Sequence, residues 1–236
     1  MSEVKPKTEM VKEMFDDIAP TYDRLNHILS LSIDKIWRSR VVRIIRRLGA
    51  KNILDVATGT GDLAIAMAKK IKGSTICGVD LSPEMLEVAR RKVSSRELDT
   101  RITLMEGNAE CLDLQSESID AVTIAFGIRN FENKEQSIAE LKRILKSQGH
   151  LIILEFSNPK NRLIGWLYRI YSHKILPWVG GLISHNRQAY EYLPSSVDTF
   201  PSPELFSQIL ESAGFVNISR RSQSFGIAQI YIAQKP

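Results

Sequence analysis

Between Asn52 and Phe156 the chain switches repeatedly between short apolar runs and longer stretches with apolar residues every three or four positions. Five runs read as strands: 52–56, 74–79, 101–106, 119–126 and 150–156. Helices are predicted over 62–71, 83–93 and 134–146, the last ended by Gly149. Ser82-Pro83-Glu84 opens the second of these, with proline at the first helical position, where its missing N–H is not needed. Short apolar runs separated by helices give parallel strands buried on both faces. The end of the chain departs from that rule. A helix over 202–213, stopped by Gly214, leads into strands 215–220 and 226–233, too close together for a crossover helix. The expectation is a single domain over residues 1–236. It is an α/β fold: a mostly parallel sheet of seven strands with a terminal antiparallel hairpin and helices on both faces.

Two parts lie outside this alternation. Residues 1–48 read as N-terminal helices forming a lid, ending in a helix over 34–48 with Trp37, Val41, Ile44, Ile45 and Leu48 inward and several arginines elsewhere. Residues 158–200 form an insertion that holds Trp166 and Trp178. Its stretch from Leu163 to Leu176 is apolar and aromatic with scattered basic residues, a composition that suits an interfacial helix or the wall of a greasy groove.

A sheet of this kind binds ligands beyond the carboxyl ends of its strands. After the first strand comes Gly59-Thr60-Gly61-Asp62-Leu63-Ala64, a fit to the loose pattern G-x-G-x-x-G/A. Taken alone it suits NAD, FAD or S-adenosylmethionine. Its neighbours discriminate. A pyrophosphate at a helix N-terminus is repelled by adjacent acids, and Asp55 and Asp62 flank the loop. A sulfonium and an ammonium are not repelled. Asp80 closes the second strand, where a carboxylate accepts from both hydroxyls of an unphosphorylated ribose. Gly107-Asn108-Ala109-Glu110 follows the third strand, where an amide side chain and a backbone N–H can read an adenine edge. Met85, on the next helix, reads as core packing.

In order along the chain, Met14–Asp23, Trp37-Arg38, Leu54–Ala64, Gly107–Glu110, Phe126-Gly127-Ile128-Arg129-Asn130 and Leu154-Glu155-Phe156-Ser157 resemble the class I S-adenosylmethionine-dependent methyltransferases. The likeness is closest to the menaquinone/ubiquinone-biosynthesis C-methyltransferase family and covers nearly the whole length. Phe126–Asn130 and Leu154–Ser157 are its most specific parts. Two departures stand out. Lys146-Ser147-Gln148-Gly149 replaces the family's Lys-Pro-Gly-Gly, and Ala125 stands where some members carry serine.

The resemblance implies a Rossmann-like methyltransferase fold, S-adenosyl-L-methionine as methyl donor, and no metal. It implies cofactor contacts at Thr58, Gly59, Gly61, Asp80, Asn108 and Ala109. Arg129 and Asn130 are the implied catalytic residues, the first stabilising a phenolate and the second orienting a hydroxyl or water. Tyr22, in the lid, is a candidate substrate contact. The implied reaction is C-methylation of demethylmenaquinol in menaquinone biosynthesis. The alternatives are a 2-polyprenyl-6-methoxy-1,4-benzoquinol acceptor in ubiquinone biosynthesis, or another S-adenosylmethionine-dependent methylation. The expected partner is a prenylated quinol, with peripheral membrane contact by the insertion and by the arginines of 38–47.

Bulk properties agree with these readings. The net charge of +5 and 43% hydrophobic content are ordinary for a globular protein. The N-terminal residues lack an apolar signal core, and Cys77 and Cys111 have no metal-ligand spacing, which points to a reducing cytoplasm. No basic-aromatic recognition stretch argues for nucleic acid.

Overall fold

The structure is a computed structural model that describes residues 5–178 and 187–236. Three N-terminal helices, α1 (Lys7–Ile18), α2 (Tyr22–Leu29) and α3 (Ile33–Leu48), precede the sheet. Then follow β1 (Asn52–Val56), α4 (Asp62–Lys70), β2 (Thr75–Asp80), α5 (Pro83–Ser94), β3 (Ile102–Glu106) and β4 (Ile119–Ala125). After a short 3-10 turn come α6 (Lys134–Ile144), β5 (Leu145–Phe156), α7 (Arg162–Ile170), a π-helical turn (Tyr171–Ile175) and α8 (Arg187–Asp198). The chain ends with α9 (Pro203–Ser212), β6 (Val216–Gln223) and β7 (Ala228–Gln234).

The seven strands form one sheet in the order β3-β2-β1-β4-β5-β7-β6. β1 to β5 are parallel, and β7 pairs antiparallel with both β5 and β6. The expected fold is therefore observed, terminal hairpin included. Apolar clusters cover both faces. One joins α3 and α4 to the sheet through Val41, Ile45, Leu63 and Met67, and the other joins α6 and α9 through Ile138, Leu141, Phe206 and Leu210. A third, smaller cluster holds Ile18, Leu25, Met85, Leu176 and Tyr190, so it ties the N-terminal helices to the insertion and to α5.

Local signals explain the helix starts. The Ser82 Oγ accepts from the Met85 N–H at 3.0 Å with Pro83 inside the first turn, and the Asn133 and Asn161 side chains cap α6 and α7 in the same way. Two expectations need correction. Helix α6 stops at Ile144, so Leu145 and Lys146 are extended, with Leu145 opposite Ile119. The turn there is made by Gln148 at φ 63° with Gly149 behind it, because a Cβ at Gly149 would lie 2.8 Å from the Lys146 carbonyl oxygen. Leu48, expected inward, is exposed at the end of α3. The parts of the lid and insertion at 1–4 and 179–186 lie outside the described residues. Among the described residues no helix is long and apolar enough to cross a membrane.

Candidate active site

Strand order reverses between β1 and β4, which leaves a crevice beyond their carboxyl ends. Both strands leave the sheet in strained backbone: Ala57 has φ 52° and Phe126 has φ 62°. Non-glycine residues hold this conformation only where the surroundings enforce it. The following Gly127 has no alternative, since a Cβ there would come within 2.5 Å of the Ala57 Cβ. These two turns, with Asp80 and Gly107–Glu110 from the adjacent strands, form the crevice walls. Val11, Phe15 and Tyr22 of α1 and α2 close it from above.

Asp80 is the acid at the centre of this crevice. Its Oδ2 accepts from the Gly59 N–H at 2.7 Å and its Oδ1 from the Ser82 N–H at 3.0 Å. Each oxygen keeps a lone pair for a ligand hydroxyl. Burial pushes its carboxyl above the usual range, against these backbone donors. Asn108 and Ala109 also line the crevice, and the Asn108 Oδ1 accepts from the Glu110 N–H at 3.0 Å. Thr58, Gly59 and Gly61 act one layer behind. The Thr58 hydroxyl donates to Asp55 at 2.7 Å, Gly59 fixes Asp80, and Gly61 at φ 79° starts α4.

The two acids flanking the loop are placed differently from expectation. Asp55 is 1% exposed beneath the loop and accepts from Thr123 at 2.6 Å and from Thr58. Burial outweighs those two bonds and lifts its pKa to about 6. Asp62 turns away to Lys92, at 2.6 Å, and towards Arg38 and His27. Burial would raise it, but Lys92 and Arg38 hold it below the usual carboxylate value. Neither acid lines the crevice. The acidic surroundings survive through other residues: Asp80, Glu110 and Glu132 line the crevice against a single lysine, Lys12. A phosphate is still disfavoured there.

Phe15, Tyr22 and Phe126 each also line a second space, an apolar cavity of about 490 Å³ between α1–α3, α7, α8 and the sheet edge. Crevice and cavity therefore meet at three aromatic rings. The cavity is largely carbon-lined. Its wall includes the aromatic stack of Trp37, Phe126 and Phe156, in which the last two ring centroids are 4.4 Å apart. Arg129 faces this cavity, and Asn130 faces the crevice.

Both are buried, and both are held. Arg129 Nη1 pairs with Glu155 Oε1 at 2.8 Å and donates to the Phe126 carbonyl, while Nε donates to Ser196 at 3.2 Å. The Tyr192 hydroxyl donates to Asn130 Oδ1 at 3.2 Å. Glu155 and Arg38, whose guanidinium lies 5.7 Å from the Phe126 centroid, belong to stretches that carry the family resemblance but have no site role expected from sequence, and Tyr192 lies outside those stretches. For Glu155 a signal exists: it is the lone acid in an otherwise apolar strand end, Leu151–Phe156. For Tyr192 none does. Burial raises the pKa of Tyr22 and lifts that of Tyr168, also on the cavity wall, to about 12. Both remain hydrogen-bond donors at neutral pH.

Residues 2–235 match the sequence pattern of the ubiE/COQ5 methyltransferase family. The chain belongs to that family. It is 44% identical to a demethylmenaquinone methyltransferase of Thermus thermophilus, across 94% of this chain and all of that one. It is also 44% identical to a ubiquinone/menaquinone biosynthesis C-methyltransferase of Geotalea uraniireducens, across the full length of both. Among solved structures it resembles a protein of Methanococcus maripaludis described as a putative S-adenosyl-L-methionine-dependent methyltransferase, with a TM-score of 0.67, 22% identity, and 100% and 97% of the two chains covered. That last likeness speaks to fold alone. The ubiE/COQ5 assignment makes this chain an S-adenosylmethionine-dependent methyltransferase, and the crevice fits that donor. It offers a buried carboxylate to a ribose and no basic cradle to a phosphate.

Proposed function

We propose that the protein methylates a ring carbon of demethylmenaquinol, in menaquinone biosynthesis. The observation that carries this reading is the meeting of crevice and apolar cavity at Phe15, Tyr22 and Phe126. A cofactor at Asp80 would present its methyl towards these rings, and a flat naphthoquinol with a prenyl tail suits a carbon-lined cavity. The names of both relatives support a quinone acceptor.

When bound, S-adenosylmethionine supplies an electrophilic methyl on a sulfonium. The residues of this chain do the rest. Asp80, Asn108 and Ala109 hold the nucleoside. Phe15, Tyr22 and Phe126 set the acceptor ring against the methyl and exclude water. A ring carbon attacks once a neighbouring hydroxyl has lost its proton to a base; after the methyl has moved from sulfur to that carbon, the hydrogen the carbon carried leaves as a proton and the neighbouring oxygen is reprotonated, which restores the aromatic quinol. The Tyr22 hydroxyl, kept protonated, donates a hydrogen bond to the resulting oxyanion. Asn130, oriented by Tyr192, holds the hydroxyl or a water that carries the proton away. Arg129 spends its charge on Glu155 and so serves mainly as a positioning residue for the turn from Phe126 to Asn130. Arginine stays protonated and is no base. The tail belongs in a bilayer, which supports a site of action at a membrane surface.

The test is incubation with labelled S-adenosylmethionine and either demethylmenaquinol or a 2-polyprenyl-6-methoxy-1,4-benzoquinol, followed by product analysis. Label on the naphthoquinol ring carbon is expected. Transfer to the benzoquinol alone, or to neither quinol by an enzyme that binds the cofactor, would overturn the reading.

A further inference from the structure

Thirteen large apolar side chains are exposed among the described residues; Ile28, Leu31 and Ile175 line the acceptor cavity itself, and Leu163, Trp166, Leu167, Trp178 and Phe225 lie on the segments beside them. Such a concentration is not the scatter usual on a soluble surface. Helix α7 is amphipathic, with Leu163, Trp166 and Leu167 turned to solvent and Gly165 inward. Leu31, on the cavity wall, is 83% exposed. Phe225, between the wall residues Ser224 and Ile227, is 81% exposed. Both sit in left-handed backbone, at φ 50° and 60°. A bulky apolar residue that is both strained and bare to water is costly twice over, unless a partner covers it.

The charges carried by the segment that holds α7 are of one sign. From Ser157 to Tyr190 the sequence carries five lysines and arginines and no acid. Arg162, Arg169 and Lys174 are exposed and make no ion pair among the described residues. A second copy docked symmetrically would set these cations against their own counterparts. An anionic surface would neutralise them. Tryptophan at a polar-apolar boundary with basic neighbours is the composition of a helix lying in a bilayer interface.

We propose that this face docks on an anionic phospholipid bilayer, α7 lying in the interface and Leu31 and Phe225 entering the headgroup region at the cavity mouth. The inference rests on the reading of the cavity as the site of a prenylated acceptor. A tail can then pass from bilayer to cavity without crossing water.

The test is co-sedimentation of the substrate-free protein with vesicles of phosphatidylglycerol and phosphatidylcholine, against phosphatidylcholine alone. Binding is expected only with the anionic lipid and weakens at high salt. Trp166 and Trp178 are exposed and Trp37 is buried, so binding should shift tryptophan emission to shorter wavelength. Replacing Trp166 and Trp178 by phenylalanine should abolish that shift. The pairs Leu31→Ser with Phe225→Ser, and Arg162→Glu with Arg169→Glu, should each weaken partition by about tenfold or more. Their affinity for S-adenosylmethionine, read by calorimetry, should be unchanged, which certifies the fold. Wild-type protein that does not partition, or variants that partition equally, would overturn the proposal. So would a solution dimer, blind to vesicles, that Trp166→Ser with Leu167→Ser dissociates. Because no acceptor is present in the assay, a failure of the proposed methylation leaves this result independently readable.

Discussion

The crevice and the cavity share three aromatic rings but are built on different principles. Backbone makes most of the crevice: the ends of β1 and β4 in strained turns, and the N–H groups of Gly59 and Ser82 that hold the central carboxylate, Asp80. Side chains make the cavity, drawn mostly from α1–α3, α7 and α8, which lie outside the strand-helix alternation between β1 and β5; Phe126, Arg129 and Phe156 at the ends of β4 and β5 complete its floor. A backbone site follows from sheet register and changes little when neighbouring side chains change. A side-chain site can be re-cut by single substitutions. One fold can thus keep its donor and vary its acceptor.

The turn from Phe126 to Asn130 belongs to both regions, and Arg129 holds it. The pair with Glu155, which is 0% exposed, is joined by bonds to Phe126, to Ser196 of α8 and to the Arg129 N–H. Lys7 of α1 donates to the Arg129 and Phe131 carbonyls from outside. Arg129→Ala strands a buried carboxylate, so it should lower unfolding free energy by about 3–5 kcal/mol. Denaturant titration measures this. Adding Glu155→Leu should recover part of the loss. If Arg129→Ala leaves stability intact and only slows turnover, Arg129 acts on the acceptor directly and the two regions are less separate than drawn.

Asp55 tests the floor beneath the crevice. Its carboxyl is lifted from 3.8 to about 6 by burial. The folded protein therefore binds a proton between those values that the unfolded chain does not. Stability contributed by this group is greatest below pH 4 and falls as pH rises towards 6 and beyond, a loss on the order of 3 kcal/mol. Asp55→Asn keeps a partner for both threonine hydroxyls and carries no charge. It should flatten this slope and gain stability at pH 8, as read by thermal melts across pH. A slope unchanged by the substitution would show that Asp55 stays ionised, with its charge available to the loop above it.

How far the sequence could be read follows the same division. The strands and their parallel pairing, the terminal hairpin, and Asp80, Asn108 and Ala109 on the crevice wall are legible from period and spacing, because each lies a fixed distance from a strand end. Asp55 and Asp62 flank the loop but do not line the crevice, whose acidic character comes from Asp80, Glu110 and Glu132. Proximity in sequence to a loop does not tell which way a side chain turns, and Lys92, thirty positions on, claims Asp62. Glu155 and Tyr192 belong to segments brought to Arg129 and Asn130 only by tertiary packing. No local pattern encodes those contacts, so the acceptor side was legible as composition and not as geometry.

The smallest effects separate the two regions most cleanly. Asp80→Asn puts an amide where two N–H donors converge, so one donor faces another and the ribose loses a charged acceptor. Charge-assisted bonds of this kind are worth about 1.5–3 kcal/mol, so affinity for S-adenosylmethionine should fall by about 10- to 150-fold. Since burial raises the carboxyl of Asp80, the native protein should also bind its donor more weakly as pH falls and the group protonates. Asp80→Asn should lose that dependence. Tyr192→Phe removes one neutral hydrogen bond to Asn130, worth about 1 kcal/mol. It should lower turnover of the acceptor by about fivefold and leave donor affinity alone. Calorimetry for the donor and initial rates for the acceptor give two readouts for each variant. Crossed effects, with Asp80→Asn altering acceptor KM or Tyr192→Phe altering donor binding, would mean that Phe126–Asn130 couples crevice and cavity into one site.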